Sequence, residues 1–179
     1  RELKYASDDL AYLASRSRNI VIVKSNHDQF LDRYLNEGKY LNDIPNHIIG
    51  LELALAKATG ADPLEYGLKK FNRFNNVKFL KSDDSFKLTN KNIETGAHGH
   101  KGANGSRGSA NNLEKCYQNI VYGHSHSPEI LRGAWVMGTS SYLKLDYNEG
   151  PSSWLQTMCF VYTNGDRQLI NIVDGATSI

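Results

Sequence analysis

Residues 119–126 read Asn119-Ile120-Val121-Tyr122-Gly123-His124-Ser125-His126. The β-branched and aromatic run predicts a short strand, which breaks at glycine into two histidines spaced i, i+2. In α/β proteins ligands bind at the C-terminal ends of strands, so this break is a candidate site. Two other stretches have the same form. Ile20-Val21-Ile22-Val23 predicts a buried strand and runs into Lys24-Ser25-Asn26-His27-Asp28. Ile93 closes a period-two stretch that leads to His98-Gly99-His100. Four of the six histidines thus fall in two such pairs. Imidazole is the commonest nitrogen ligand of transition metals, and a pair leaving a strand can aim at two adjacent ions, or at one ion and a phosphate.

Helical spacing fills much of the remainder. Leu3, Leu10, Tyr12 and Leu13, with Ala6, Ala11 and Ala14, predict a helix over 2–16. Phe30, Leu31, Tyr34 and Leu35 predict another over 28–35, stopped by Gly38. Helices over 45–59, with Pro45 in the first turn, and from Pro63 to about Phe74 make a helical segment of about 36–76 between the polar motifs. From Val77 the period is two, with strands around Val77–Leu80, Phe86–Leu88 and Ile93 and a hairpin turn at Asp83-Asp84. Five glycines between Gly96 and Gly108 mark a loop, and a short helix is expected over 109–116. Strands are expected over 129–137, 140–147, 154–163 and 167–173, with a tight turn at Asn164-Gly165. Tyr142, Tyr147, Trp154 and Tyr162 are expected in the core of a sandwich or on a homo-oligomer surface. The order fits a layered α/β protein whose sheets pack on each other.

The bulk numbers narrow the class. Of 179 residues, 40% are hydrophobic and 22% charged, which excludes a disordered or fibrous chain. No stretch approaches about 18 uninterrupted apolar residues, so no membrane span is expected. No charged-then-apolar leader opens the chain, and Cys116 and Cys159 have no CxxC spacing, which points to a reducing, cytoplasmic setting. A net charge of +2 is too small for bulk attraction to nucleic acid, so such binding needs a local patch. Lys101 and Arg107 in the glycine loop provide one, since glycine lets the backbone approach a phosphate closely. Lys69, Lys70 and Arg73 around Phe71 and Phe74 provide another, or simply an amphipathic helix.

Asn26-His27-Asp28, His98-Gly99-His100 and Gly123-His124-Ser125-His126, in that order, resemble the later motifs of the calcineurin-like metallophosphoesterases, with the SbcD-type nuclease branch favoured. Gly138-Thr139-Ser140-Ser141 is similar to the glycine-serine segment that follows there. The resemblance covers residues 19 to about 147. It implies the C-terminal portion of a layered α/β/β/α sandwich and two divalent metal ions, Mn²⁺ favoured over Zn²⁺ or Fe. It implies that Asn26, His98 and His124 bind one metal and His126 the other. His27 would stand near the phosphate as an acid, Asp28 would orient His27, and His100 would sit behind the ligands or meet substrate with Lys101 and Arg107. There are two departures. Ser25 stands where the family has glycine. No Asp-x-His or Gly-Asp motif precedes Asn26, and the chain opens at Arg1, so a segment upstream is expected to complete the site. The activity expected is phosphodiester hydrolysis on DNA, as in a phage DNA-degrading enzyme. The alternatives are a phosphomonoesterase or nucleotide phosphodiesterase of the same fold, or a non-catalytic scaffold with a degenerate metal site.

Overall fold

The computed structural model describes residues 1–88 and 91–177, and these divide into two compact units, Arg1–Lys81 and Ser82–Ile179. The architecture is mixed α/β.

The first unit is mainly helical. Its elements are α1 (Glu2–Arg16), β1 (Ile20–Ile22), α2 (Asp28–Asn36), α3 (His47–Ala58), α4 (Pro63–Phe71) and β2 (Val77–Phe79). A short 3₁₀ turn over Ile44–Asn46 carries Pro45, so α3 begins after the proline rather than on it. α4 opens where the sequence predicts, because Asp62 caps it by accepting from the N–H groups of Leu64 (3.0 Å) and Glu65 (3.1 Å). It ends at Phe71, three residues short of the expected end, as Asn72 turns to extended backbone. Leu10, Leu35, Leu53, Ala56 and Leu68 are buried. β1 is half-buried rather than buried, and it pairs in parallel with β2, Ile20 opposite Val77 and Ile22 opposite Phe79. The Asp83-Asp84 hairpin therefore does not form: β2 joins β1, and the strand after the turn joins another sheet. Beyond β1, Lys24 bonds Asp62 (2.5 Å) and Asp32 (3.0 Å), and Lys57 bonds Asp32 (2.7 Å). Burial alone would discharge Lys24, but the two carboxylates outweigh it and hold its pKa above the ordinary lysine value.

The second unit holds β3 (Lys87–Leu88), β4 (Ile93–Glu94), α5 (Ala110–Tyr117), β5 (Ile120–Tyr122), β6 (Glu129–Leu131), β7 (Ala134–Val136), β8 (Thr157–Val161), β9 (Arg167–Val173) and β10 (Ala176–Thr177). One sheet runs β3-β4-β5-β7-β6 and another β10-β9-β8. In the first, β4, β5 and β7 are parallel neighbours, with β3 and β6 antiparallel on the edges. Ile120, Tyr122, Ala134 and Val136 pack with Ala110 and Leu113 of α5, which covers one face. β8 and β9 form the expected hairpin around Asn164-Gly165, where Gly165 takes φ 90 and the Asn164 side chain accepts from the Asp166 N–H (3.0 Å).

Three expectations change here. The strand predicted over 129–137 is two strands, β6 and β7, folded back at Arg132-Gly133 with Arg132 at φ 49. No strand occupies 140–147; a turn closes there through the Asn148 side chain, which accepts from the Leu145 N–H (2.7 Å). The aromatics assigned to the core lie largely outside it: Tyr142 is 82% exposed, Tyr147 68% and Tyr162 47%. Among the described residues no helix is long and apolar enough to cross a membrane.

Candidate metal centre

Parallel pairing gathers the histidines of the second unit. β4 and β5 are adjacent and parallel, with Glu94 opposite Ile120, so the loops leaving both strands emerge at the same edge of the sheet. His98 lies four residues beyond Glu94 and His124 two beyond Tyr122. The result is direct contact: His124 Nδ1 lies 3.2 Å from His98 Nε2, with ring centroids 5.0 Å apart. His100 joins them, its centroid 5.5 Å from His98 and 6.0 Å from His124.

The loop between β4 and α5 is held by backbone. Gly99 has φ 104, a left-handed conformation, and a Cβ there would lie 2.1 Å from the Tyr122 ring. A Cβ on Gly108 would lie 1.8 Å from the Gly99 carbonyl oxygen. Lys101 pairs with Arg107 as an isolated β-bridge, and the Gly108 N–H donates to the His100 carbonyl (3.0 Å). These contacts explain the glycine spacing and bring both histidines of the 98–100 pair against His124. Tyr122 serves by packing alone, since burial pushes its phenol up to about 12 and keeps it neutral.

A residue with no sequence signal anchors this loop. Glu94, 1% exposed, accepts through Oε1 from the N–H groups of Gly96 (2.7 Å) and Phe86 (2.9 Å), and through Oε2 from the Ser85 hydroxyl. Burial would raise its pKa, but these donors outweigh burial and hold it below the ordinary glutamate value.

His126 is placed differently from the other three. It sits at φ 61, a region that non-glycine residues rarely adopt and that occurs at functional sites. Its ring meets Trp154 edge-on at 4.3 Å, and Tyr147 lies 6.0 Å from Trp154. Lys101 approaches Asp83 at 3.4 Å, and Arg107 contributes its carbonyl to the Asn112 side chain (3.1 Å). In the helical unit the second basic patch is largely neutralised: Lys69 bonds Glu65 (2.5 Å) and Lys70 bonds Glu52.

Asn26 and His27 form the turn between β1 and α2. Asp28, expected to orient His27, is bonded to Ser25. Asp28 Oδ2 accepts from the Ser25 N–H (2.7 Å) and hydroxyl (2.9 Å), while the Ser25 hydroxyl accepts from the Asp28 N–H (3.1 Å). His27 stacks on Phe30 at 5.2 Å. Serine in place of glycine is explained by the same bonds, because the turn does not put Ser25 at positive φ and uses its side chain.

The donor set fits a divalent cation in part. Two imidazoles on one ion at about 2.0–2.1 Å per Metal–N bond stand roughly 3.3 Å apart at tetrahedral angles, close to the separation of His98 and His124. Among the described residues no three histidine, cysteine, aspartate or glutamate side chains already converge as a cage. Both ring nitrogens of His100 are buried without a hydrogen-bond partner. Its pKa is lowered, by burial first and by Lys101 second, so the ring is neutral and has a lone pair to offer.

No protein-family model matches the chain, and no solved structure matches it. It is similar to Protein A1 of Escherichia phage T5, with 37% identity over 166 residues. The match covers 87% of this chain, which spans 29% of the length of that relative.

Proposed function

We propose that this chain carries a metal-binding part of a phosphoesterase that hydrolyses phosphodiester bonds, with DNA as the substrate. The observation that carries the reading is the convergence of His98 and His124 from neighbouring parallel strands, their nitrogens 3.2 Å apart. Two imidazoles held this way on loops pinned by glycine can take up a divalent transition ion in place of the hydrogen bond they share. When bound, such an ion polarises a phosphoryl oxygen and lowers the pKa of a coordinated water. The protein's own share is to fix the imidazoles, which the Glu94 anchor and the Gly99–Gly108 contact do. Within the second unit, His126 keeps the ligand role implied by the resemblance. The Lys101–Arg107 loop, next to His100, offers the cations of Lys101 and Arg107 to a phosphodiester.

The test is a substrate panel. The full-length gene product, loaded with Mn²⁺, is offered linear DNA, an aryl phosphodiester and an aryl phosphomonoester. The expected result is cleavage of DNA and the diester, lost on chelation and in His124→Ala. Turnover of the monoester alone would move the function to a phosphomonoesterase. No turnover with no metal bound would leave a scaffold.

A further inference from the structure

His100 is the anomaly of the second unit. Both its ring nitrogens are buried, and neither has a hydrogen-bond partner. A buried donor left this way is costly, so native proteins rarely keep one without a use. The loop does not place His100 there by default. Its carbonyl is bonded by the Gly108 N–H, its neighbour Lys101 bridges to Arg107, and Gly99 bends left-handed before it. This backbone delivers the ring to two other imidazoles.

The spacing of the three rings is informative. A ring centroid lies roughly 3.2 Å from an ion bound at about 2.0–2.1 Å, so two rings on a tetrahedral ion lie about 5.2 Å apart. The observed separations are 5.0, 5.5 and 6.0 Å. The distances suit a common ion, although among the described residues no three such side chains already converge on one. Turning them is cheap, because the outer torsion of histidine is broad and roughly two-fold.

We propose that His100 is a direct metal ligand, and that His98, His100 and His124 form a three-imidazole site for one divalent transition ion within residues 82–179. The proposal rests on the reading that His98 and His124 bind metal. It replaces the expected substrate-facing role of His100. It also shifts the preferred ion, since three imidazoles suit Zn²⁺, Fe²⁺ or Co²⁺ better than Mn²⁺. Binding gives the His100 lone pair a partner and exchanges the His98–His124 contact for two bonds to the ion.

The probe is Co²⁺, titrated into the 179-residue chain and followed by its visible absorption, with Zn²⁺ as competitor. Wild type, His100→Ala, His100→Gln and His98→Ala are compared, and the metal-free melting temperature of each is recorded. The proposal expects one tightly bound Co²⁺ in wild type. It expects at least roughly a tenfold weaker affinity and a changed spectrum in His100→Ala, with His98→Ala weaker still. The metal-free melting temperature of His100→Ala should be equal to or above wild type, because an unpartnered ring has been removed. If His98→Ala loses Co²⁺ while His100→Ala keeps wild-type affinity and spectrum, His100 is no ligand and the proposal falls alone. If His100→Ala instead melts lower with binding unchanged, the ring is structural. If wild type binds no Co²⁺, the underlying metal reading falls with it.

Discussion

His124→Ala should lower the affinity for a divalent transition ion by roughly a hundredfold or more, since loss of even an outer partner of a ligand costs about 10–100-fold. The reason is positional. His124 comes two residues after β5, and its Nδ1 is the atom that meets His98. Neither neighbour on the sequence can replace it, because Gly123 has no side chain and the Ser125 hydroxyl donates to the Ser127 carbonyl (3.1 Å). Metal-free stability should change little, by about 1 kcal/mol for one lost hydrogen bond. Calorimetric titration with Zn²⁺ and Mn²⁺, alongside melting with and without metal, separates the two effects. A variant that melts like wild type and still binds the ion as tightly would remove His124 from the ligand set.

The second large effect is on folding. Glu94→Leu should destabilise the second unit by about 2–6 kcal/mol, because the N–H groups of Phe86 and Gly96 lose their shared acceptor and each buried unsatisfied donor costs about 1–3 kcal/mol. Glu94→Gln, which keeps an oxygen but not the charge, should fall between the two. The same carboxylate sets an acid limit. Its pKa is lower in the folded chain than in the unfolded one. Its contribution is therefore complete above the unfolded glutamate value, about 4.3, and is lost as pH falls through the depressed folded value. Chemical denaturation at pH 7 and at stepwise lower pH should show the gap between wild type and Glu94→Leu closing on the acid side. A gap that stayed constant with pH would mean that the charge of Glu94 contributes nothing.

Much of this was legible in the sequence where a pattern is local. The helix over 2–16, the strand break at Gly123-His124 and the glycine loop follow from periodicity and from glycine itself. The meeting of His98 with His124 was legible as chemistry but not as geometry, since it depends on β4 and β5 being adjacent and parallel. Glu94 was hidden because a carboxylate in a two-residue strand reads as an exposed edge; its donors, at Ser85, Phe86 and Gly96, come together only in the fold. The stretch expected as a strand over 140–147 carries two tyrosines, but β-propensity is weak without a neighbour to pair with, and the Asn148 side chain closes a turn there instead. The resemblance implied Asp28 as the partner of His27, yet a side chain at the start of a helix is drawn to nearby backbone N–H groups, and Asp28 and Ser25 bond each other there.

The central claim is that His98 and His124 hold a divalent cation. Crystals of the chain grown with Mn²⁺ or Zn²⁺, with anomalous differences collected at the edge of that metal, test it most directly. An anomalous peak is expected within bonding distance of His98 Nε2 and His124 Nδ1. A peak bound elsewhere, with those two nitrogens still in contact with each other, would contradict it.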